Sequence, residues 1–486
     1  MATEKVKKPA NPRASFIHKT LITVFLALLI DILAFTIILP LYPRILAHYE
    51  KVDGADEASL YYQIRTIVQR FRESLGIEGT RLDIVLFGGA LGSMFSFLQF
   101  VSSPAIGRLS DKYGRRTILL ISMVGNALSM LLWIFSKSFT TFVLSRIVGG
   151  LTEGNVQMSI AMISDVTTTE TRSRGLALVG IAFSLGFTVG PPLGAYFTSY
   201  HLHDAFPSLS WLPINEYSSP ALFAFILILI ETAYLFIALP ETLNFKSSPL
   251  GQTAPPPATP TGLPKSANSQ PPQKTASLTL LSTIHFLFLF VFSGMEFTLT
   301  FLTHDRFSFS HAQQGRLLGL MGILSALVQG GYVRRYAHKY VPERDIVAQG
   351  IAAASAGLAV VGWGDKTVRS LYLAAAFLAF TSGTVVTSLT ALASGVGKAE
   401  EEKGGVGKGE VGEEKDQGHV LGKFRSAGQL GRCLGPIFAC SAYWVLGGET
   451  AYRAGAGALM VLAVLVVLVV PKGAKKVPVV SAKKSA

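Results

Sequence analysis

The sequence predicts an all-α membrane protein whose twelve transmembrane helices form two pseudo-symmetric bundles of six. The 486-residue chain is 50% hydrophobic and only 15% charged, whereas a soluble domain carries roughly 25% charged residues. Apolar windows of about 20 residues recur along it, each long enough to cross the ~30 Å hydrocarbon core as a helix. These windows lie near residues 18–41, 84–106, 117–136, 140–163, 175–198, 219–239, 279–302, 313–333, 346–363, 369–392, 424–446 and 451–470.

Three polar segments interrupt this pattern. Residues 42–83 form a long outer loop, in which apolar residues at helical spacing predict an amphipathic helix that lies on the membrane or caps the protein. Residues 243–275, rich in proline, serine and threonine, and residues 396–420, rich in glycine, glutamate and lysine, predict disordered cytoplasmic segments. The predicted domains are therefore a tail (1–17), a first bundle (18–242), the linker (243–275), a second bundle (276–471) and a basic tail (472–486).

The net charge of +13 is distributed asymmetrically. Lysine and arginine concentrate in both tails and in the connections that follow even-numbered spans, which is the positive-inside pattern. We therefore expect both termini to be cytoplasmic and expect no nucleic-acid binding, because these basic residues are topology signals. The pattern leaves open whether the membrane is the plasma membrane or a vacuolar or other internal membrane. Both cysteines, Cys433 and Cys440, fall in span eleven, so no disulfide framework is predicted.

A short repeat relates the two halves. The pattern G-x-x-x-G-P begins at Gly186 in span five and again at Gly431 in span eleven, at the same place in each six-span half. An internal repeat about an axis normal to the membrane is a common plan of transporters. It predicts a substrate site between the halves, near the midplane of the bilayer.

The connection between spans two and three, GRLSDKYGRRTIL, combines glycines for tight turns with charges at the membrane surface. It resembles the signature loop of the major facilitator superfamily, although a positive-inside loop that turns on glycines is the plain alternative. LSRIVGGLTEGN, GFTVGPPLG and LPETL are similar to further motifs of that family. IDILAFTIILPLYP resembles the first span of its tetracycline:proton antiporters. In the second half, FSGMEFTLTFLTHDRFSFSHAQQGR is similar to the animal tetracycline-transporter-like proteins, which are linked to organic-anion transport. The gate motif residues are Gly107, Asp111, Gly114, Arg115 and Arg116.

The resemblance implies the major facilitator fold and roles for two of the motifs. Asp111 would act as a gate that contacts the cytoplasmic end of span eleven, near Lys423 and Arg425. The antiporter motif in span five would pack closely against another helix and seal the pathway against proton leak, or serve ordinary helix packing. Its residues are Gly186, Gly190, Pro191 and Gly194. The sequence departs from the family where Ala195 replaces a glycine, and where the second-half loop GGYVRRYAHKYVPER keeps the cations but lacks the aspartate.

Six ionisable residues lie well within spans. Each costs roughly 2.5–3.5 kcal/mol near the bilayer centre on insertion scales, so such residues are usually paired or functional. We expect Asp31, Glu153 and Glu296 to couple protons, because burial favours the neutral form of a carboxylate. The predicted substrate pathway consists of Arg146, Asn155, Gln329 and Arg432.

Each of these residues also has a structural alternative, such as a permanent hydrogen bond to a neighbouring helix. Arg146 and Glu153, seven residues apart on one predicted helix, would lie about 10 Å apart and could not pair directly. Glu231, in a span that is usually peripheral, is expected to bind between helices or to reach the interface, with a functional role as the other reading.

No sequence feature indicates covalent chemistry. The chain has no Walker loop, HExxH, GxSxG or metal-ligand spacing, so we expect no enzyme activity and no cofactor other than protons as the coupling ion. The sequence predicts a monomeric secondary transporter that exchanges a small organic molecule, organic anion or drug for protons by alternating access. Its expected partners are the substrate and the lipid bilayer. A proton-independent facilitator and a non-transporting receptor or scaffold are the alternatives.

Overall fold

The computed structural model describes residues 12–38, 42–76, 81–168, 171–198, 218–243, 245, 276–309, 311–365, 367–404 and 417–472. These residues are nearly all helical, and no β-strand occurs among them. The twelve predicted spans are Pro12–Ile38, Arg81–Tyr113, Arg115–Ile134, Phe139–Thr152 with Asn155–Val166, Arg172–Thr198, Ser218–Ala238, Leu278–Phe307, His311–Leu327 with a π-helix Val328–Ala337 and a turn His338–Tyr340, Glu343–Trp363, Val368–Gly404, Gln417–Leu446 and Gly448–Val469.

Ten of the described helices are long and apolar enough to cross a bilayer. The two remaining spans, four and eleven, differ for physical reasons. Span four is split into two helices of 14 and 12 residues, each too short to cross alone. Span eleven has 30 residues, but it carries Lys423, Arg425, Gln429 and Arg432. Both exceptions lie where the polar residues of the protein concentrate.

Each half has its own apolar core. One cluster of buried side chains extends from Val24 to Leu239 and a second from Leu281 to Val470. The exceptions lie in the second half, where Cys440 belongs to the first cluster and Phe297, Phe301, Ala391 and Trp444 pack against it. Each half therefore has its own apolar core, and the two halves meet most extensively where span two packs against span eleven.

We call the end of the molecule that carries the turn at Gly114 and the start of span one the inner face, and the opposite end the outer face. Span two crosses span eleven, and span five crosses span eight, at the boundary between the halves. Among the described residues, the hydrogen bonds that join the halves lie between the midplane and the inner face. Nearer the outer face, Phe297, Phe301 and Trp444 of the second half pack against the apolar cluster of the first.

The outer loop contains two helices, Tyr42–Asp53 and Leu60–Ser74. Tyr61 and Val68 are buried, with Leu60 and Ile64 packed beside them. The first helix is tied to the bundle by a hydrogen bond of 2.8 Å between the hydroxyls of Tyr49 and Ser136. The amphipathic helix was predicted either to lie on the membrane or to cap the protein. In the structure it caps the first half.

Two predicted boundaries are wrong. Span four was predicted as one continuous helix, but Glu153 has a ψ of 90° and ends the first part. Residues 396–420 were predicted to be disordered throughout, but span ten continues to Gly404 and span eleven begins at Gln417. Strong helix formers such as the alanine and glutamates after Lys398 extend span ten. Residues 405–416, the two tails outside 12–472, and the linker apart from Leu243 and Phe245 lie outside the described residues.

The glycines of the antiporter motif bring span five against span one. A Cβ atom added at Gly186, Gly190 or Gly194 would lie 1.9–2.5 Å from span-one atoms. The hydroxyl of Thr36 donates to the Gly186 carbonyl at 3.0 Å, across the same contact. Only hydrogen in place of a side chain permits backbones to approach this closely.

We expect Gly194→Ala to destabilise the protein by about 1–3 kcal/mol, because the new methyl group would overlap the carbonyl oxygen of Ile37 and the packing would have to open. The change is measured as the thermal unfolding temperature of the purified protein in detergent. Gly92→Ala is the matched control, since no atom lies within 4 Å of the Cβ position there. Equal unfolding temperatures for Gly194→Ala and the control would contradict this account of the contact.

Candidate functional site: an inner gate and a buried charge cluster

The inner gate joins span two to the start of span eleven. The backbone N–H groups of Gly418 and His419 donate to the two carboxylate oxygens of Asp111 at 2.9 and 2.8 Å. These amides are in the first helical turn, where N–H groups have no partner within the helix and the helix dipole favours an anion. Asp111 therefore binds the end of span eleven through its backbone, and not through Lys423 or Arg425, near which the family resemblance placed it.

A network of charged side chains fixes the position of Asp111. Arg115, which is buried, forms an ion pair with Asp111. Its Nε donates to Asp165 at 3.1 Å. Glu241, from the LPETL motif, accepts the backbone N–H groups of Arg115 and Arg116 at 3.0 and 3.1 Å and so caps span three. The sequence identified the motif residues but not Asp165, whose only signal is an acid at the end of span four.

Further bonds close the inner face around the gate. Arg172 donates to the Ser394 carbonyl at 3.0 Å, which joins span five to span ten. Ser173 donates to Glu343 at 2.9 Å, which ties span five to the start of span nine. Ser426 donates to the Phe100 carbonyl at 2.7 Å. The described inner ends of the two halves are thus held together, and a path to the inner face requires these bonds to break.

Asp31 lies at the break in span four. It is 7% exposed, and it accepts a hydrogen bond of 2.7 Å from the Asn155 side chain. Asn155 begins the second part of span four, directly after Glu153 and Gly154. Broken helices at membrane depth are tolerated where they line a cavity, and they commonly form the binding sites of transporters. The break therefore explains how a polar side chain reaches Asp31 in the middle of the first half.

The other residues of the first-half cluster surround this pair. Glu153 accepts a hydrogen bond of 3.1 Å from Asn126. The Arg146 guanidinium lies 4.6 Å from the Phe95 ring centre and 5.8 Å from that of Trp133. Cation–π contacts of this kind stabilise a desolvated guanidinium. Asp31, Arg146 and Glu153 line one cavity together with Asn126, Phe95 and Ile228.

The second half contributes a cation to the cluster. Arg425 of span eleven is a charged neighbour of both Asp31 and Glu153, and its Nη2 donates to Gln99 of span two at 3.4 Å. Sequence reasoning connected this arginine with the gate and missed its place beside the carboxylates. The sequence did contain one signal: Arg425 and Arg432 are seven residues apart on span eleven and therefore share a face of that helix.

The remaining predicted residues lie in three places. Glu296 and Arg432 are exposed and are charged neighbours of each other in the second half. Glu231 is 1% exposed and its neighbours are Asp31 and Glu153, so it faces the cluster and does not reach the interface. Gln329 is apart from the cluster. It is buried in the π-helix of span eight, against Gly180 of span five.

We expect Asp111→Asn to loosen the inner gate, because hydrogen bonds to a charged group contribute about 1.5–3 kcal/mol and the variant loses the charge and one acceptor oxygen. The reporter is a cysteine in place of the fully buried Ser103, in a protein without its native cysteines, with labelling by a water-soluble maleimide. The Ser103 carbonyl oxygen lies 2.7 Å from the position that a Cβ on Gly422 of span eleven would take, so that span covers the site.

Labelling should become about tenfold faster in Asp111→Asn. Lys112→Gln, which removes an exposed charge from the same loop, should leave the rate unchanged. The same rate in all three proteins would show that Asp111 does not hold the gate closed.

Comparison with known proteins agrees with this architecture. The model of the Major Facilitator Superfamily matches residues 24–407. Major facilitator superfamily domain-containing protein 10 of Mus musculus is 35% identical over 454 residues, with 92% of each chain covered. The tetracycline resistance protein, class B, of Escherichia coli is 25% identical over 287 residues, which is 58% of this chain and 64% of the other. The crystal structure of the human organic anion transporter MFSD10 (TETRAN) has a TM-score of 0.74 and 33% identity, and covers 94% of this chain and 100% of the other. The chain is therefore a multi-pass membrane protein with the twelve-helix fold, and it belongs to the major facilitator superfamily of transporters.

Proposed function

We propose that this protein exchanges a small organic anion for protons across its membrane, with Asp31 as the principal proton carrier. The observation that carries the proposal is the buried Asp31–Asn155 contact at the break of span four, at the wall of a cavity that the second half approaches through Arg425. A carboxylate in such a place must be neutralised before the halves can move about it.

Two agents can neutralise Asp31 in turn. A proton does so directly. A substrate does so when one of its donor groups binds the carboxylate and its anionic group binds a guanidinium. Because both occupy Asp31, each excludes the other, and an ionised empty carboxylate disfavours the return step. Mutual exclusion at one site is sufficient for exchange on one condition. The protein with neither proton nor substrate bound must not switch between the states open to the inner and to the outer face.

The arginines provide the place for the anionic group. Arg432 and Arg425 are charged neighbours in the second half, and Arg425 approaches the carboxylates of the first. Guanidinium groups bind carboxylates in a planar, two-point geometry. The Oδ1 atom of Asn155 is buried and accepts no hydrogen bond from the described residues, so it offers an acceptor to a substrate donor beside Asp31. The similarity to a structure described as a human organic anion transporter supports the same substrate class.

The position of Arg425 beside the two carboxylates supports a second candidate function, which is cotransport of the anion with protons. Ionised Asp31 and Glu153 attract Arg425, and their protonation releases it. If the substrate binds only through the released guanidinium, proton binding and anion binding help one another and both move in the same direction. The two candidates therefore differ in the sign of the proton movement that accompanies anion uptake.

We expect wild-type protein in liposomes to move protons when an organic anion is supplied, and Asp31→Asn to lose that movement while anion counterflow continues. The liposomes contain a pH dye and are screened with organic anions and amphiphilic drugs. Exchange predicts that the interior loses protons as the external anion enters, whereas cotransport predicts that it gains them. Asp31→Asn keeps the size and the hydrogen bond to Asn155 while it removes the titratable group.

The matched control is Glu449→Gln, which removes a carboxylate near the outer face that pairs with Arg306 and Arg453. It should retain anion-driven proton movement. Equal anion transport by wild type and Asp31→Asn, without proton movement in either, would make the protein a facilitator and overturn the proposal.

A further inference from the structure

The second-half loop has an arginine where the first-half gate has its aspartate. Asp111 is the fourth residue after Gly107, and the fourth residues after Gly330 and Gly331 are Arg334 and Arg335. In the first half, that position contacts span eleven across the boundary between the halves. The related boundary in the second half is formed by spans eight and five. The second-half loop therefore carries cations at the position where the first-half loop carries an anion.

Span five presents a further cation at this boundary. Arg334 is a charged neighbour of both Arg174 and Arg335, and the π-helix that carries Arg334 packs against span five. Among the described residues, none of these three arginines forms an ion pair. Arg174 and Arg335 are exposed and Arg334 is half-buried. Arg334 is therefore repelled by a like charge on its own helix, Arg335, and by another on span five, Arg174.

The acidic groups nearby are engaged elsewhere. Glu343 accepts from Ser173 and acts on Arg172. Asp165 pairs with Arg115 and is the other acid near Arg172. Neither acid is a charged neighbour of Arg334. The cationic trio, Arg174, Arg334 and Arg335, therefore lacks the carboxylate that neutralises the inner gate in the first half.

Aromatic residues place the trio at the level of lipid headgroups. Tyr336 and Tyr340 are 55% and 60% exposed on the same side of span eight, and the rings of Tyr332, Tyr336 and Tyr340 follow one another with centres 6.1 and 5.0 Å apart. Tyrosines with an exposed ring and a polar tip gather at the boundary between hydrocarbon and water. A basic site between transmembrane helices at that depth suits an acidic lipid headgroup.

We propose that the cationic trio binds the phosphate of an anionic phospholipid from the leaflet at the inner face. The headgroup supplies the negative charge that Asp111 supplies in the first half, and it bridges span five to span eight. The acyl chains lie against the exposed tyrosines. The lipid therefore stabilises the arrangement in which the inner ends of the two halves are closed.

The test is a titration of the purified full-length protein in detergent with phosphatidylglycerol that carries a fluorescent acyl chain, read by anisotropy. A labelled phosphatidylcholine serves as the neutral comparison. We expect wild type to bind phosphatidylglycerol about tenfold more tightly than phosphatidylcholine, since its net negative headgroup is attracted to three guanidinium groups. Arg334→Gln with Arg335→Gln should bind the two lipids equally, and Arg334→Lys with Arg335→Lys should keep most of the preference.

The matched control is Lys19→Gln with Lys472→Gln, which removes two exposed cations from the same face without touching the trio. It should retain the full preference for phosphatidylglycerol. An equal loss in this control would show a diffuse effect of charge and overturn the site. Displacement of the labelled lipid by millimolar inorganic phosphate would assign the trio to a free anion and equally contradict the proposal. If the double glutamine variant unfolds, Arg174→Gln alone should lower the preference, and an unchanged preference in that variant counts against the site.

Discussion

A charge held within a bilayer needs a partner, and in this protein the partners of the central carboxylates come from both halves. Asp31 and Glu153 belong to the first half, whereas Arg425 reaches them from span eleven of the second. The separation of the two apolar cores means that rocking one half against the other must alter this charge balance. Proton and substrate binding can therefore be linked to movement of the halves through electrostatics alone, without any change inside either core.

The irregular segments follow from the same constraint. Span four breaks at Glu153 so that Asn155 can donate to Asp31, and span eleven keeps its cations at the expense of hydropathy. The same need for a charge partner applies at the inner face. Asp111 neutralises the start of span eleven, whereas the related position in the second half carries arginine. On one side of the inner closure a carboxylate of the protein meets the other half, and on the other side lie the three arginines that we propose bind an outside anion.

The sequence predicted the fold, the family and most of the polar residues, because apolar windows, the glycine motif and the charged loop are local signals. It did not predict the break in span four, because the apolar window 140–163 has the length and hydropathy of one continuous span. Asp31 and Arg425 are 394 positions apart in the chain, so the place of Arg425 beside Asp31 depends on how the two halves dock together. Glu231 was expected to be peripheral, and only the packing of span six places it beside the cluster. The roles of all these residues stay predictions.

The most direct test of the central claim is the number of protons released when a transported anion binds to the detergent-solubilised protein in weakly buffered solution. If proton and substrate exclude each other at Asp31, binding of the anion to wild type acidifies the solution. Asp31→Asn then binds the same anion without a pH change. Binding to wild type that leaves the pH unchanged, or that takes up protons, would contradict exchange at this carboxylate.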